Sequence, residues 1–531
     1  MSKNNDKNCV FKKEEILTFE KTAMDKALKQ IEKCRVTHSK TLIIRNPWLT
    51  ALPEELRKLS WLKRLYIVDT AIRVLPGWIG ELENLETFDI SRASNICKLP
   101  PSLVKLKKLK NLIIDLTGLT KLPSFIGKLH SLELLDLIMP VKEVPQSILD
   151  LPKLKCINTH VYYDNIVGSY PSNLVAKQHE LNVKEFFRRI NQCKKNKSKK
   201  LNLSYLHIEK LPKEFSDLYW LEELDLECNR LKQLPEWICN FSKLKVLNLY
   251  RNDLKQLPDS ISNLANLNVF DLSHNKLMSL PNSIGNLSKL KKIILSDNRL
   301  KTLPETFCKL KSLEEFTLEG FFDGPYLKGI GKAYGYRNNP CFSSLPESFG
   351  NLSSLKIFEV SCTKLTELPE SFGNLKSLNE LTIQCCETKD FHFPKSMKKL
   401  KTLRYVDLSS GAFDKVPDFI NELKELNILD IQGNSLYILP EFLGNLKKLK
   451  FLNLKSTKIN KLPEWVGNLK NLVELDISHN SIEVDPKIKK NLPKLKKYDD
   501  SLNYFNPHKE KRKQERARKK GANMFYTAHP T

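Results

Sequence analysis

The stretch from Leu280 to Leu300 decides the fold and reads Leu280-Pro-Asn-Ser-Ile-Gly-Asn-Leu-Ser-Lys-Leu-Lys-Lys-Ile-Ile-Leu-Ser-Asp-Asn-Arg-Leu300. Its apolar residues follow the order L-x-x-L-x-L-x-x-N-x-L. Pro281 has evenly spaced counterparts at Pro258 and Pro235, which gives a period of 23. Alternate residues of a strand share one face, so this period predicts a short strand whose apolar side chains meet the returning Leu-Pro segment in one core.

The period extends over most of the chain but changes phase once. Prolines in phase stand at Pro53, Pro76, Pro100, Pro123 and Pro145, and then at Pro212, Pro235, Pro258, Pro281, Pro304, Pro346, Pro369, Pro394, Pro417, Pro440, Pro463 and Pro486. The interval from Pro145 to Pro212 is not a whole number of periods. A single repeat cannot bury its apolar face alone, so the repeats must stack. The phase change therefore indicates two stacked or linked arrays.

A helical segment precedes each array. The interval from Ile31 to Leu42 of the first predicted strand equals the interval from Ile190 to Leu201 of the second array. The exposed core at the end of a stack needs a cap. We therefore predict a helical N-terminal cap for each array. The alternative is that residues 160–200 form one long insertion in a single solenoid.

These patterns predict the following organisation. A disordered N-terminus covers 1–20, a helical cap 21–41, and a first array 42–172. A second helical cap with a basic linker covers 173–200, a second array 201–503, and a basic tail 504–531.

An insertion interrupts the second array. The interval from Pro304 to Pro346 exceeds one period, and the excess residues 320–339 contain five glycines and five aromatic residues. Insertions in repeat proteins form surface loops, often on the binding side. We predict that its aromatic residues contact a partner: Phe321, Phe322, Tyr326, Tyr334 and Tyr336.

Basic residues outnumber acidic ones, with 87 Lys and Arg against 61 Asp and Glu, so the net charge is +26. Lysines crowd the turns before the strands. The tail adds a dense group at Lys511, Arg512, Lys513, Arg516, Arg518, Lys519 and Lys520. Three functions fit this tail: a nuclear-import signal, contact with RNA, or contact with an anionic membrane. The simpler interpretation is a solvated charged end.

The predicted concave face is acidic although the whole chain is basic. On each strand the residue between the last two core positions points away from the core. The candidate partner-binding residues there are Glu223, Asp225, Glu227, Tyr250, Asp271, Glu319, Glu359, Asp407, Asp430 and Asp476. We expect these side chains to face solvent and to favour a protein partner with a basic or mixed surface. The alternative is that Asp and Ser at these offsets only serve the repeat.

No residue pattern predicts catalysis. Gly329-Ile-Gly331-Lys332 lacks the spacing of a phosphate-binding loop, and His179-Glu180 lacks the second histidine of a zinc protease. His274 and His479 recur at one repeat offset and are expected at the surface, and the asparagines of the repeat, such as Asn275, are expected to be structural. We therefore predict a chain that is not an enzyme and has no cofactor or metal.

The sequence also bears on the compartment. It contains no signal-peptide core and no uninterrupted apolar run long enough to span a membrane. Its 12 cysteines are scattered without a C-x-x-C pair. We expect a cytoplasmic protein in a reducing environment, without a transmembrane segment.

By these residues the chain resembles the intracellular leucine-rich repeat proteins of the Ras-group type, whose units read L-P-x-x-I-G-N-L-x-x-L-x-x-L-x-L-x-x-N-x-L. The cap-and-repeat module also resembles repeat regions of Roco-type and effector proteins. The resemblance implies an α/β solenoid with a curved parallel sheet on the concave face and short helices and turns on the convex face. It further implies a non-enzymatic scaffold that binds a protein, with a small GTPase or a signalling complex as the natural candidate. The alternative function is binding of nucleic acid or an anionic surface through the tail and the lysine-rich rim.

Overall fold

The computed structural model describes residues 13–115, 117–119, 121–138, 143–158, 171–319, 342–384, 391–482, 484 and 486–501. The chain forms two compact units, and the division falls between Arg188 and Arg189. Each unit has one sheet of its own.

The first unit begins with helix α1 (Lys13–Val36) and has a six-stranded sheet. Its strands are β1 (Thr41–Asn46), β2 (Arg64–Thr70), β3 (Thr87–Asp89), β4 (Asn111–Asp115), β5 (Leu134–Ile138) and β6 (Cys156–Asn158). A short helix, α2 (Gln146–Leu149), lies between β5 and β6. Helix α3 (Ser172–Asn196) contains the division between the units.

The second unit contains a thirteen-stranded sheet. Its strands are β7 (Lys200–Asn202), β8 (Glu223–Asp225), β9 (Val246–Asn248), β10 (Val269–Asp271), β11 (Lys292–Ile294), β12 (Glu315–Glu319), β13 (Ile357–Ser361), β14 (Glu380–Gln384), β15 (Tyr405–Asp407), β16 (Ile428–Asp430), β17 (Phe451–Asn453), β18 (Glu474–Asp476) and β19 (Lys497–Asp499). Helix α4 (Pro486–Lys490) lies between β18 and β19.

All strand pairs in both sheets are parallel and follow chain order. The register places equivalent residues of successive repeats side by side, as Asp225 lies beside Asn248 and Asn248 beside Asp271. Between strands the chain returns through a short 3-10 turn that follows a proline, as at Pro281. The predicted α/β repeat solenoid is confirmed.

The repeat asparagines join neighbouring repeats in the core. Asn275 is buried, and its Nδ2 donates to the carbonyls of Leu249 and Leu272 at 2.9 and 3.0 Å. Its Oδ1 accepts a bond from the backbone N–H of Leu254 at 3.0 Å. One amide side chain therefore satisfies backbone groups that would otherwise be buried without partners, and the predicted structural role of Asn275 is confirmed.

The first cap is longer than the sequence pattern indicated. Helix α1 begins at Lys13, so the prediction of a disordered segment over 1–20 is wrong for residues 13–20. Ala23, Ala27, Ile31 and Cys34 form its buried line, at the spacing of three to four residues typical of one helix face.

Candidate partner-binding face

The outward residues of the strands in the second unit form one row across the sheet. We call this row, together with the acidic residues that flank it, the acidic face. The predicted residues in the row are Asp225, Asp271, Glu359, Asp407, Asp430 and Asp476, and the flanking ones are Glu223, Glu227 and Glu319. The row itself is a consequence of strand pairing, because the third residue of every strand lies beside the third residue of each neighbouring strand.

The aspartates of this row end their strands in a common way. The Oδ1 atom of Asp225 accepts the backbone N–H of Glu227 at 3.0 Å, and Asp430 and Asp476 bind the N–H groups two residues later at 3.0 and 2.8 Å. An Asx turn of this kind directs the chain out of the strand. Asn248 makes the same bond to Tyr250 at 3.0 Å. Asp and Asn therefore serve the turn equally well.

Amide groups separate several of the carboxylates. Asn202 and Asn248 donate to Asp225 from both sides, at 2.8 and 3.1 Å. Asn453 donates to Asp430 at 2.8 Å. These bonds relieve part of the repulsion within the row, so a cationic partner is not needed to hold the row together.

Asp407 corrects one prediction. This residue is only 6% exposed, so the expectation that it faces solvent is wrong. Gln384 donates to its Oδ2 at 2.7 Å, and the hydroxyl of Tyr405 lies 3.3 Å from the same oxygen. Burial, together with the charge of Asp407, raises the pKa of Tyr405 to about 12. The amide and the ring, which come from two strands, cover the carboxylate.

Asp430 lies directly beside Asp407 in the register of β15 and β16. It is half-buried, and burial raises its pKa above the ordinary range, with the charges of Asp407 and Asp476 acting in the same direction. Burial also raises the pKa of Asp225. Ionised carboxylates at Asp225 and Asp430 therefore carry a free-energy cost in the folded protein.

The flanking residues Glu223 and Glu227 are held by specific partners. Glu223 pairs with Lys200 at 2.7 Å, and Glu227 accepts the hydroxyl of Tyr205 at 2.8 Å. Glu319 ends β12 and is exposed. The contacts of the first two glutamates fix their carboxylates at the edge of the row.

Two further members of the row are bound by hydroxyl groups. Thr317 donates to Glu359 at 3.2 Å. Asp271 accepts both the backbone N–H of Ser273, at 2.9 Å, and the Ser273 hydroxyl. The structure thus brings together all the acidic residues predicted on this face, with Asp407 covered and the others exposed or half-buried.

Tyr250 belongs to a contact that sequence reasoning missed. Its ring meets the ring of His274 edge-on, with centroids 4.8 Å apart, and His274 Nδ1 lies 2.8 Å from Asp297 Oδ2. The side chains of His274 and Asp297 are only 14% and 13% exposed, so the expectation of a surface His274 is wrong. The sequence could have predicted this contact, because His274 and Asp297 occupy the same offset in successive repeats and therefore lie side by side.

Other predicted site residues lie outside the described residues. They are the loop residues Phe321, Phe322, Tyr326, Tyr334 and Tyr336 and the tail residues Lys511, Arg512, Lys513, Arg516, Arg518, Lys519 and Lys520.

Within the described ranges, no group of three or more His, Cys, Asp and Glu side chains is arranged to hold a metal ion. No helix in these ranges has both the length and the apolar character needed to cross a membrane.

Comparison with solved structures finds similar chains of low sequence identity. A leucine-rich repeat protein of Leptospira interrogans is 22% identical, with 93% of this chain and 96% of that chain covered and a TM-score of 0.46. An internalin of Listeria monocytogenes is 18% identical, with 60% and 94% covered and a TM-score of 0.45. TLR13, solved in complex with the RNA ssRNA13, is 17% identical, with 87% and 91% covered and a TM-score of 0.45.

Comparison with curated proteins finds no match. A family model described as a leucine-rich repeat region matches residues 50–154, 236–332 and 381–499, which is more than half of the chain. A second model, described as a leucine-rich repeat, matches residues 220–241. Together with the two parallel sheets, these matches place the chain in a family: it belongs to the leucine-rich repeat proteins.

Proposed function

We propose that this chain is a non-enzymatic scaffold that holds a protein partner on the acidic face. Stacked repeats create extended surfaces that repeat proteins use for binding. The observation that carries the proposal is that Asp occupies row positions at which Asn would make the same turn. Asn248 makes the same turn as Asp225 and Asp430, without a charge. Because burial raises the pKa of both aspartates, their charge opposes folding and is better explained by recognition.

A basic segment of a protein is the partner that this surface favours. In the row from β15 to β18, Asp430 and Asp476 are the aspartates available to a partner, with Asn453 between them, whereas Asp407 is covered. Polyanions would be repelled here, whereas lysine and arginine side chains would be attracted. Charge complementarity of this type mainly accelerates association and gives specificity.

The class of partner follows from resemblance. Repeats of the Ras-group type suggest a small GTPase or a signalling complex. A reducing, cytoplasmic setting fits the buried thiols of Cys228, Cys239 and Cys308, whose pKa values are raised chiefly by burial. Buried protonated thiols of this kind pack as small apolar groups.

The test replaces four row aspartates, Asp225, Asp271, Asp430 and Asp476, by Asn. Since Asn occupies this position at Asn202, Asn248 and Asn453, the variant should keep the fold. The matched control carries Asp→Asn at Asp217, Asp259, Asp414 and Asp418, which are exposed and lie away from the strands.

Proteins captured from native lysate are compared by quantitative mass spectrometry, and the affinity of a recovered partner is then measured by calorimetry. We expect the row variant to lose at least about tenfold in affinity, with a weaker salt dependence, and the control to bind as the wild type does. Equal binding by all three proteins would contradict the proposal. If affinity instead falls when Phe321, Phe322 and Tyr326 become Ala, the partner binds the insertion.

A further inference from the structure

A second row of residues lies immediately before the strands of the second unit. In spatial order it reads Lys199, Glu222, Lys245, Asn268, Lys291, Glu314, Lys356, Asn379, Arg404, Asn427, Lys450, Val473 and Lys496. Each residue after Lys199 donates its backbone N–H to the carbonyl of the preceding one, at 2.7 to 2.8 Å. Basic residues occupy every second position of this pre-strand row. The residues between them therefore decide its net charge.

In the first half of the row, glutamates neutralise the lysines. Glu222 lies between Lys199 and Lys245, whose Nζ atoms are 2.7 and 2.6 Å from its carboxylate. Hydrogen bonds from the two lysines lower the pKa of Glu222 to about 2. The carboxylate is therefore ionised at neutral pH and screens both neighbours.

Glu314 repeats this arrangement between Lys291 and Lys356, at 3.0 and 2.6 Å. The first unit shows the same order, with Glu86 between Lys63 and Lys110 at 2.6 and 3.4 Å. Lys-Glu-Lys is thus a recurrent pattern of the pre-strand position.

After Lys356 the row contains no glutamate, because Asn379, Asn427 and Val473 occupy the positions between its basic residues. Val473 occupies the position between Lys450 and Lys496 that Glu222 and Glu314 occupy elsewhere. A valine side chain neutralises neither lysine. The row therefore ends in two exposed lysines on either side of an apolar residue.

Further lysines adjoin this end of the row. Asn471 donates to the carbonyl of Lys447 at 2.7 Å and accepts a bond from Lys494 Nζ at 2.7 Å. Lys470 Nζ donates to the carbonyl of Asn491, the residue after Lys490, at 2.8 Å.

We call the set Lys447, Lys450, Lys470, Lys490, Lys494 and Lys496 the C-terminal lysine surface, and every residue in it is exposed. In the part of the chain that the structure describes, the nearby ion pairs are Lys448–Glu425 and Lys497–Glu474, which leave the whole set without a carboxylate.

We propose that the C-terminal lysine surface docks the protein on an anionic phospholipid membrane. Clustered lysines are attracted to a negatively charged leaflet, each by about fivefold in binding. Residues 441–501 contain many lysines but no arginine, the residue that makes bidentate contacts with bases in nucleic-acid sites. Point charges spread over several repeats suit a sheet of phosphate headgroups. This function is separate from binding on the acidic face.

The test measures binding of the full chain to vesicles of phosphatidylcholine containing about 30% phosphatidylserine, a leaflet charge that attracts clustered lysines. Vesicles of phosphatidylcholine alone serve as the uncharged reference. We expect binding to the anionic vesicles only, and a steep loss at high salt because screening shortens the reach of the charges.

Two variants locate the interaction. Replacing Lys447, Lys450, Lys470, Lys494 and Lys496 by Gln should weaken vesicle binding by at least about tenfold. Val473→Glu restores the Lys-Glu-Lys order and should weaken binding by about fivefold or more. The control replaces Lys213, Lys309, Lys376, Lys395 and Lys399 by Gln; these lysines are exposed elsewhere, and the control should change binding by less than about twofold at the same net charge.

Equal losses in the five-lysine variant and its control would overturn the proposal, since net charge alone would then explain them. Unchanged binding by Val473→Glu would also count against it. If single-stranded RNA binds more tightly than the vesicles and depends on the same lysines, the ligand is nucleic acid and the membrane proposal is overturned. The Asp→Asn variant of the acidic face should bind vesicles like the wild type, which separates this test from that of the partner site.

Discussion

Trp220 donates its indole N–H to the backbone carbonyl of Ser198 at 3.0 Å. In the first unit, Trp61 makes the same bond to Ser39 at 3.2 Å. In both cases the indole joins the turn just before the second strand of the sheet to the short segment between the cap helix and the first strand. The two junctions between helix and strand are therefore copies of one arrangement.

The two junctions also share a contact between a cysteine of the cap helix and the serine that follows it. The Sγ atoms of Cys34 and Cys193 each lie 3.4 Å from the same carbonyl, of Ser39 and Ser198 respectively. Each serine hydroxyl also donates to the carbonyl two residues later, at 2.8 and 2.6 Å. This shared geometry explains the repeated spacing that predicted two caps.

The cap arrangement leads to a first prediction. Trp220→Phe keeps an aromatic ring but removes the N–H, so the free energy of unfolding should fall by about 0.5–1.5 kcal/mol. Trp61→Phe should lose a similar amount in the first unit. Urea denaturation followed by circular dichroism measures both losses. No loss in either variant would show that the indole bonds do not stabilise the caps.

The asparagine ladder gives a second prediction. Asn275→Ala removes the donor to Leu249 and Leu272, and the acceptor for Leu254. Leaving these backbone groups unpaired should cost about 1–3 kcal/mol. Asn282→Ala, at an exposed position in the following turn, should stay within about 0.5 kcal/mol in the same denaturation experiment. Equal effects would contradict the ladder.

Glycines in the return turns give a third prediction. A Cβ at Gly285 would lie 1.9 Å from the backbone oxygen of Thr306 in the next repeat, whereas a Cβ at Gly77 would meet nothing within 4 Å. Gly285→Ala should therefore force two repeats apart and destabilise the protein by about 1–3 kcal/mol. Gly77→Ala should be neutral or stabilise it slightly. Thermal unfolding of both variants measures the difference, and a stable Gly285→Ala protein would argue against this close approach.

Asp430 gives a fourth prediction, on pH. Its pKa in the folded protein lies above the ordinary value of 3.8, so between these two values the folded state binds more protons than the unfolded chain. Stability from this group is therefore lost as the pH rises through the folded pKa. Asp430→Asn should raise the melting temperature at pH 7, and its advantage should shrink as the pH falls towards 3.8. Asp418→Asn, at an exposed turn position, is the control, and an advantage independent of pH would contradict the assignment.

Much of the fold could be predicted from the sequence, because the spacing of residues along the chain defines the repeat. Pro281, Asn275 and the apolar residues around them recur at one period, and each has a role set within its own repeat and its neighbours. The outward direction of Asp225 and Asp430 also followed from strand alternation. The start of α1 did not, since residues 13–20 carry no repeat pattern.

The repeat and the row of acidic residues could be predicted from the period of the chain, and the parallel sheet followed from the resemblance that this period carries. The surroundings of each side chain depend on contacts between repeats and could not be predicted in this way. Gln384 donates to Asp407 from the neighbouring strand β14, and no local pattern predicts that contact. The position of Val473 between Lys450 and Lys496 likewise becomes visible only in the register of the strands. Burial and charge balance arise between repeats, where side chains from distant positions share one surface.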